Sequence, residues 1–209
     1  MRWVTDYSAL LWACWGGGAG ALVRHGPEEA GGWAFTFDDG PERGATEAVA
    51  EALEAVGGRG TFFVIGEKVR RNRVLVRELV ERGHQVGSHS MTHARCSRLK
   101  RVDLVEELVG SKRLIEDVTG VEVRWFRPPF GALRAGQVEV VMAAGMRVAL
   151  WNVNPKDWMG AGPEVLAGRL ARARVARPLV VMHDRLETVG RALRLFFERR
   201  PEVRSVVLG

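Results

Sequence analysis

The 209-residue chain has only two cysteines. Cys14 and Cys96 show neither metal-ligand spacing nor a disulfide framework, so cysteine usage leaves the redox compartment open. A low-complexity linker is also missing, and at this length the expectation is one catalytic-sized domain. Long hydrophobic runs are absent too. The richest, "SALLWACWGGGAGALV", is glycine-laden and too short to span a bilayer comfortably. The charge pattern lacks a basic stripe with interleaved aromatics, so a formal charge of +6 and a pI near 10.1 do not make a nucleic-acid footprint. That excess comes mainly from arginine and accompanies scarce Asn and Gln. It fits a GC-rich or heat-adapted proteome and would equally suit an anionic envelope or polysaccharide.

The apolar amino-terminal stretch has the length of a signal-peptide h-region, and Ala19-Gly20-Ala21 resembles an A-x-A cleavage site. The opening "MRWVTDY" carries a single Arg and an Asp, which speaks against export. The alternative docks Trp3, Trp12 and Trp15 on the domain. Residues 1–30 are therefore expected to be a signal, anchor or docked extension and residues 31–209 the catalytic domain. A secreted or envelope location, with membrane or cell-wall association through the N-terminus, follows as an expectation.

From Trp33 onward short apolar runs alternate with stretches of helical period. The runs are "WAFTF", "TFFVIG", "HQVGSH", "VRWFRPP", "RVALWNV" and "PLVVMHD". Between them lie "ATEAVAEALEAV", "RVLVRELVERG", "VDLVEELVGSKRLIEDVTG", "GQVEVVMAAG", "EVLAGRLARARV" and "VGRALRLFFERR", whose apolar residues recur at three and four. Six such βα units, with "VRSVVLG" as a last strand, predict a mainly parallel α/β sheet, open or closed into a barrel. Chemistry then belongs at the carboxyl ends of the strands.

Five polar signatures stand at such ends. "TFDDGP" closes the first run. Taken alone it is a turn, but neighbouring side chains on extended backbone point to opposite sides, so Asp38 and Asp39 are expected to face different partners. In "GSHSMTH", His89 and His93 stand four apart, a spacing that sets both imidazoles on one face of a helical turn. With Asp39 they would complete a His, His, carboxylate set, the catalytic zinc pattern that leaves a position open. "RPPFG" offers Arg127, "WNVNPKDW" offers Asp157 and Trp158, and "LVVMHD" ends on His183 and Asp184. His84 reads as structural, and His25 shows no partner.

In this order the five signatures, with "GTFFVIG" between the first two, resemble the motifs of the polysaccharide deacetylase family, the NodB-homology domain of carbohydrate esterase family four. The resemblance runs from about Trp33 to the end. It implies a distorted, incomplete (β/α) barrel of about seven parallel strands that removes N-acetyl groups from amino-sugar polymers of peptidoglycan or chitooligosaccharide type. Alternatives are an acetyl-xylan esterase or other amidase of the same fold, or an inactive carbohydrate-binding domain. Carried across by position, Asp39, His89 and His93 would bind one divalent metal, Zn2+ in the first place, with Co2+ or another transition metal as substitutes. Asp38 would be the general base, held by Arg127. The backbone N–H of Phe130 would face the oxyanion, His183 would be the general acid, and Val181 and Trp158 would line the slot for the acetyl methyl group. The expected partner is an acetylated glycan and not a nucleic acid. Phe130 stands where the family often has Tyr, and Val181 replaces a common Leu. Asn154 occupies a position where the family often has the carboxylate partnering the acidic histidine, which leaves Asp157 as its substitute.

Overall fold

The computed structural model describes residues 20–29 and 31–209. The apolar runs become eight strands among the described residues: β1 (Leu22–Val23), β2 (Gly32–Asp38), β3 (Thr61–Val64), β4 (Gln85–Ser88), β5 (Trp125–Phe126), β6 (Arg147–Ala149), β7 (Leu179–His183) and β8 (Arg204–Val206). Between them run α1 (Ala45–Glu54), α2 (Gly66–Arg71), α3 (Arg73–Glu81), α4 (Arg101–Thr119), α5 (Ala135–Ala143), α6 (Pro163–Ala171) and α7 (Glu187–Arg199). All strand pairs are parallel, in the order β1-β6-β5-β4-β3-β2-β7, with β8 beside the start of β2.

The sheet closes irregularly. After β6 the chain crosses to β7, where the N–H groups of Asn152 and Val153 reach the Leu179 carbonyl and Val181 N–H reaches the Val153 carbonyl. A single bridge stands there in place of a full strand. The result is the distorted, incomplete (β/α) barrel that the resemblance implies.

β2 is buried along its whole length, as expected of a strand covered on both faces. Its Trp33 and Phe35 pack with Phe196, and Phe35 also packs with Phe197, both from α7, at ring centroid distances of 5.2 to 5.6 Å. α7 has strong three-and-four periodicity, and it lies between α1 and α6. This anchors one end of β2 and leaves its carboxyl end, with Asp38, to the site.

Two elements escape the sequence pattern. β1 is two residues long, yet it pairs with Val148 and Ala149, and Val148 N–H reaches the Ala21 carbonyl. The division expected at residue 30 is thus crossed by the sheet, and residues 20–29 pack with the barrel. The second, α2, is short and carries three basic residues in its last turn. Trp3, Trp12, Trp15 and Cys14 lie outside the described residues. No described helix is long and apolar enough to cross a membrane.

Candidate active site

Asp38 is the last residue of β2, while Asp39 has left the strand with φ 74°. That left-handed turn, together with strand alternation, sends the two carboxylates to different partners. Asp38 accepts a 2.8 Å hydrogen bond from Nη1 of Arg127. Asp39 Oδ1 lies 3.5 Å from His89 Nε2 and 3.1 Å from His93 Nε2.

The two histidines meet without a helical turn, which corrects the expectation drawn from their spacing. Ser90 and His93 both have positive φ, and the loop is held by other means. His93 N–H donates to Ser90 Oγ, while Glu107 on α4 accepts from Met91 N–H, Thr92 N–H and the Thr92 hydroxyl. The imidazoles end with centroids 5.1 Å apart. His89 Nδ1 is 2.7 Å from the Arg127 carbonyl. A carbonyl only accepts, so Nδ1 carries the proton, and Nε2, on the Asp39 side, is the nitrogen that would ligate a cation. Ligand atoms of Asp39, His89 and His93 all lie within 4.8 Å of one another. Two imidazoles and one carboxylate, with one imidazole tautomer fixed from behind, form a donor set that suits a borderline divalent cation such as Zn2+. Burial disfavours the charge on Asp39, but hydrogen bonds from His89 and His93 and the charges of His89 and His183 hold its carboxyl well below the usual range.

On the opposite side, His183 ends β7. Asp157, buried in a short 3₁₀ turn, grips it twice: Oδ1 lies 3.0 Å from Nδ1 and Oδ2 accepts the backbone N–H at 2.7 Å. The contact at Nδ1 leaves Nε2 as the ring nitrogen free for chemistry. Burial works against an imidazolium here, yet the hydrogen bond to Asp157 and the charges of Asp157, Asp38 and Asp39 raise the pKa of His183 above its ordinary value. Asn154 instead folds back, its Oδ1 accepting Lys156 N–H at 2.8 Å. The carboxylate that touches His183 is therefore that of Asp157.

Arg127 is fully buried and binds far more than Asp38. Its Nε reaches the Ala149 carbonyl, Nη2 the Leu150 carbonyl and Nη1 also the Thr36 hydroxyl, at 3.1, 2.8 and 2.6 Å. The guanidinium stacks over the Phe63 ring at 4.2 Å. This one side chain ties the ends of β2, β5 and β6 together as it orients Asp38.

These groups open on one cavity of about 500 Å³. Asp38, Asp39, His89, His93, Phe130, Trp158, Val181 and His183 all line it, with Arg127 and Asp157 buried behind. Phe130 packs on His93 at 4.9 Å and Trp158 stands edge-on to His183 at 5.4 Å, so an aromatic ring marks each side. The pattern of motifs did not single out Trp151 and Arg185, which also line the cavity. Trp151 fills the space that a side chain at Gly131 would take, since a Cβ there would lie 2.7 Å from its ring. Arg185 Nε donates to Asp39 Oδ2 at 2.8 Å. Its place two residues after His183 was the available signal.

The remaining histidines lie elsewhere. His84 is structural as read: its Nδ1 accepts Gly60 N–H and its Nε2 meets Glu54. His25, for which no partner was expected, receives Asn152 Nδ2 at 3.0 Å. Cys96 is buried, and burial pushes its thiol up to about 12, so it is inert.

Comparison with known proteins bears on the same site. A peptidoglycan-N-acetylglucosamine deacetylase of Bacillus cereus is 31% identical over 72% of this chain and 71% of its own length. A chitooligosaccharide deacetylase of Bradyrhizobium is likewise 31% identical, over 72% of this chain and 69% of its own. The peptidoglycan-N-acetylglucosamine deacetylase PgdA of Listeria monocytogenes is 31% identical over 77% of this chain, which spans only 34% of that protein's length. Among solved structures, the peptidoglycan deacetylase PdaC of Bacillus subtilis superposes with a TM-score of 0.77 at 27% identity, covering 83% of this chain and 86% of that one. A family-4 (CE4) pseudoenzyme from Bacillus anthracis gives 0.82 at 26%, over 90% and 67%. The family description polysaccharide deacetylase matches residues 25–149, a stretch that holds Asp38, Asp39, His89, His93, Arg127 and Phe130. With more than half of its length matched, the chain belongs to the polysaccharide deacetylase family.

Proposed function

We propose that the protein is a metal-dependent hydrolase that removes N-acetyl groups from an amino-sugar polymer of peptidoglycan or chitooligosaccharide type. The observation that carries this reading is the division of labour within one cavity. A carboxylate held by Arg127, a His, His, carboxylate set and a carboxylate-bound histidine converge there on separate sides. Relatives named as peptidoglycan and chitooligosaccharide deacetylases support the substrate class. Their role at the cell wall supports an envelope or secreted location.

Asp39, His89 and His93 would hold one divalent cation, Zn2+ by the nature of the donors, with Co2+ as a workable substitute. When bound, such a cation supplies Lewis-acid polarisation and makes water a better nucleophile near neutral pH. Asp38, oriented by Arg127, takes a proton from the attacking water as its oxygen bonds to the acetyl carbonyl carbon. The Phe130 N–H stands as donor to the oxygen that becomes negative. His183, protonated with Asp157 behind it, gives its Nε2 proton to the amide nitrogen as the carbon–nitrogen bond breaks. Acetate and the free amino sugar leave. Val181 and Trp158 shape the slot for the methyl group.

A second reading, an inactive carbohydrate-binding domain, gains weight from the CE4 pseudoenzyme among the similar structures. Against it stands the pair Asp38 and His183, since binding a glycan needs neither base nor acid. Release of acetate from peptidoglycan glycan strands, chitooligosaccharide and acetyl-xylan decides. Release from the first two that stops on chelation and returns with Zn2+ or Co2+ supports the proposal. Release from acetyl-xylan alone moves the activity to esters, and binding without release establishes the inactive domain.

A further inference from the structure

Beside the cavity, at its Phe130 edge, stands a cation that the proposed chemistry does not use. The Arg95 guanidinium lies 4.3 Å from the centroid of the Phe130 ring. Phe130 is 54% exposed and lines the cavity, whereas Arg95 is half-buried and sits over the ring at the rim. Among the described residues the Arg95 side chain makes no ion pair and no hydrogen bond. The acidic side chain that the same loop does recruit is Glu107. Its two oxygens are engaged by Met91, Thr92 and the Thr92 hydroxyl.

An arginine held over a ring without a hydrogen-bonded partner keeps N–H donors free to meet an acceptor. The ring attracts the cation and narrows its range of positions, so less freedom is lost when an anion binds. The planar fork matches a carboxylate, which accepts two parallel hydrogen bonds from it. Arg95 does not line the cavity that takes the acetyl group. An anion at Arg95 therefore belongs to the sugar next to the one deacetylated.

We propose that Arg95, presented on Phe130, is a specificity-determining subsite for a carboxylate on the neighbouring sugar of the glycan. This rests on the deacetylase reading and sharpens it: the substrate class becomes an acidic glycan that carries a free carboxyl-bearing ether on alternate amino sugars, as peptidoglycan strands do where the stem peptide has been removed, in preference to neutral chitin-type chains.

The test uses the full chain loaded with Zn2+ and two forms of one probe. The probe is a peptide-free peptidoglycan tetrasaccharide, either with free carboxylates or with those carboxylates converted to methylamides; chitotetraose serves as a neutral reference. Wild type is expected to favour the carboxylate over the amide form by about tenfold in kcat/KM, the scale of one charge-assisted pair at a partly exposed site. Added salt should narrow that ratio. Arg95→Gln should bring it close to one, and Arg95→Lys, which keeps the charge, should retain part of it. An unchanged ratio in Arg95→Gln, or no preference in wild type, overturns the proposal. If no probe releases acetate, it is the deacetylase reading that fails. Calorimetric titration with the same two tetrasaccharides then decides on Arg95: a preference lost in Arg95→Gln supports it, and equal affinities overturn it.

Discussion

At the scale of single residues, Asp38 and Asp39 are one peptide bond apart and face different partners. Arg127 takes one, and the two imidazoles take the other. Asp38→Asn should keep its metal, measured by elemental analysis, and lose deacetylation by a hundredfold or more, as expected for a missing general base. His89→Ala should lose metal and activity together. Loss of metal in Asp38→Asn with retention in His89→Ala would reverse the assignment. His183 gives a second test. Its pKa is raised with Asp157 in contact, so the imidazolium persists to higher pH and its acid form is lost as pH rises through that value. Asp157→Asn removes the charge, and the alkaline limb of the kcat profile should move to lower pH. A limb that stays in place would leave Asp157 a buried partner that orients His183 without setting its titration. Most of these residues were legible in the sequence, because each motif names a chemical type and the chain order fixes their company. What could not be read was geometry made by partners far along the chain. Glu107 shapes the histidine loop and Arg185 reaches back to Asp39, and neither contact leaves a local pattern.

At the scale of elements, the long periodic stretches and the apolar runs were legible because one buried face imposes its period on the sequence. β1 was not, since two residues carry no period, and neither was the crossing from β6 to β7, which is made by backbone groups of Asn152 and Val153. The strand ends are joined instead by Arg127, which spans acceptors on Thr36, Asp38, Ala149 and Leu150 from a fully buried position. An ammonium cannot reach four acceptors laid out for a planar fork. Arg127→Lys should therefore leave at least one buried acceptor unmet and lower stability by roughly 2–4 kcal/mol in urea unfolding, besides releasing Asp38. Unfolding at the wild-type midpoint would reduce Arg127 to a local partner of Asp38.

At the scale of the whole molecule, stability answers to a buried carboxyl that the chemistry does not use. Asp184 is fully buried beneath the loop that carries the two aspartates. Its Oδ2 accepts the Thr46 hydroxyl at 2.6 Å, its Oδ1 has no partner, and a Cβ at Gly40 would fall 2.1 Å from Oδ2, so only glycine fits there. Burial pushes Asp184 up to about 7; the Thr46 hydrogen bond and Lys68 pull the other way, and Asp39 adds to the rise. Unfolded, the same carboxyl titrates near 3.8. Between these values the folded chain keeps a proton that the unfolded chain releases, so folding binds a proton and this contribution to stability falls as pH rises. It is fully present below about 4, declines through the window and is gone above about 7. Asn keeps the shape and the acceptor for Thr46 without an ionisable group. Asp184→Asn should therefore unfold with a flatter dependence on pH than wild type between about pH 4 and 7, and the gain over wild type should grow toward pH 7 and level off above it, reaching a few kcal/mol at most. Urea unfolding of both proteins at three pH values, with the metal state held constant, measures the difference. Parallel curves would show that Asp184 is ionised throughout, held by Thr46 and Lys68 against the desolvation of its site.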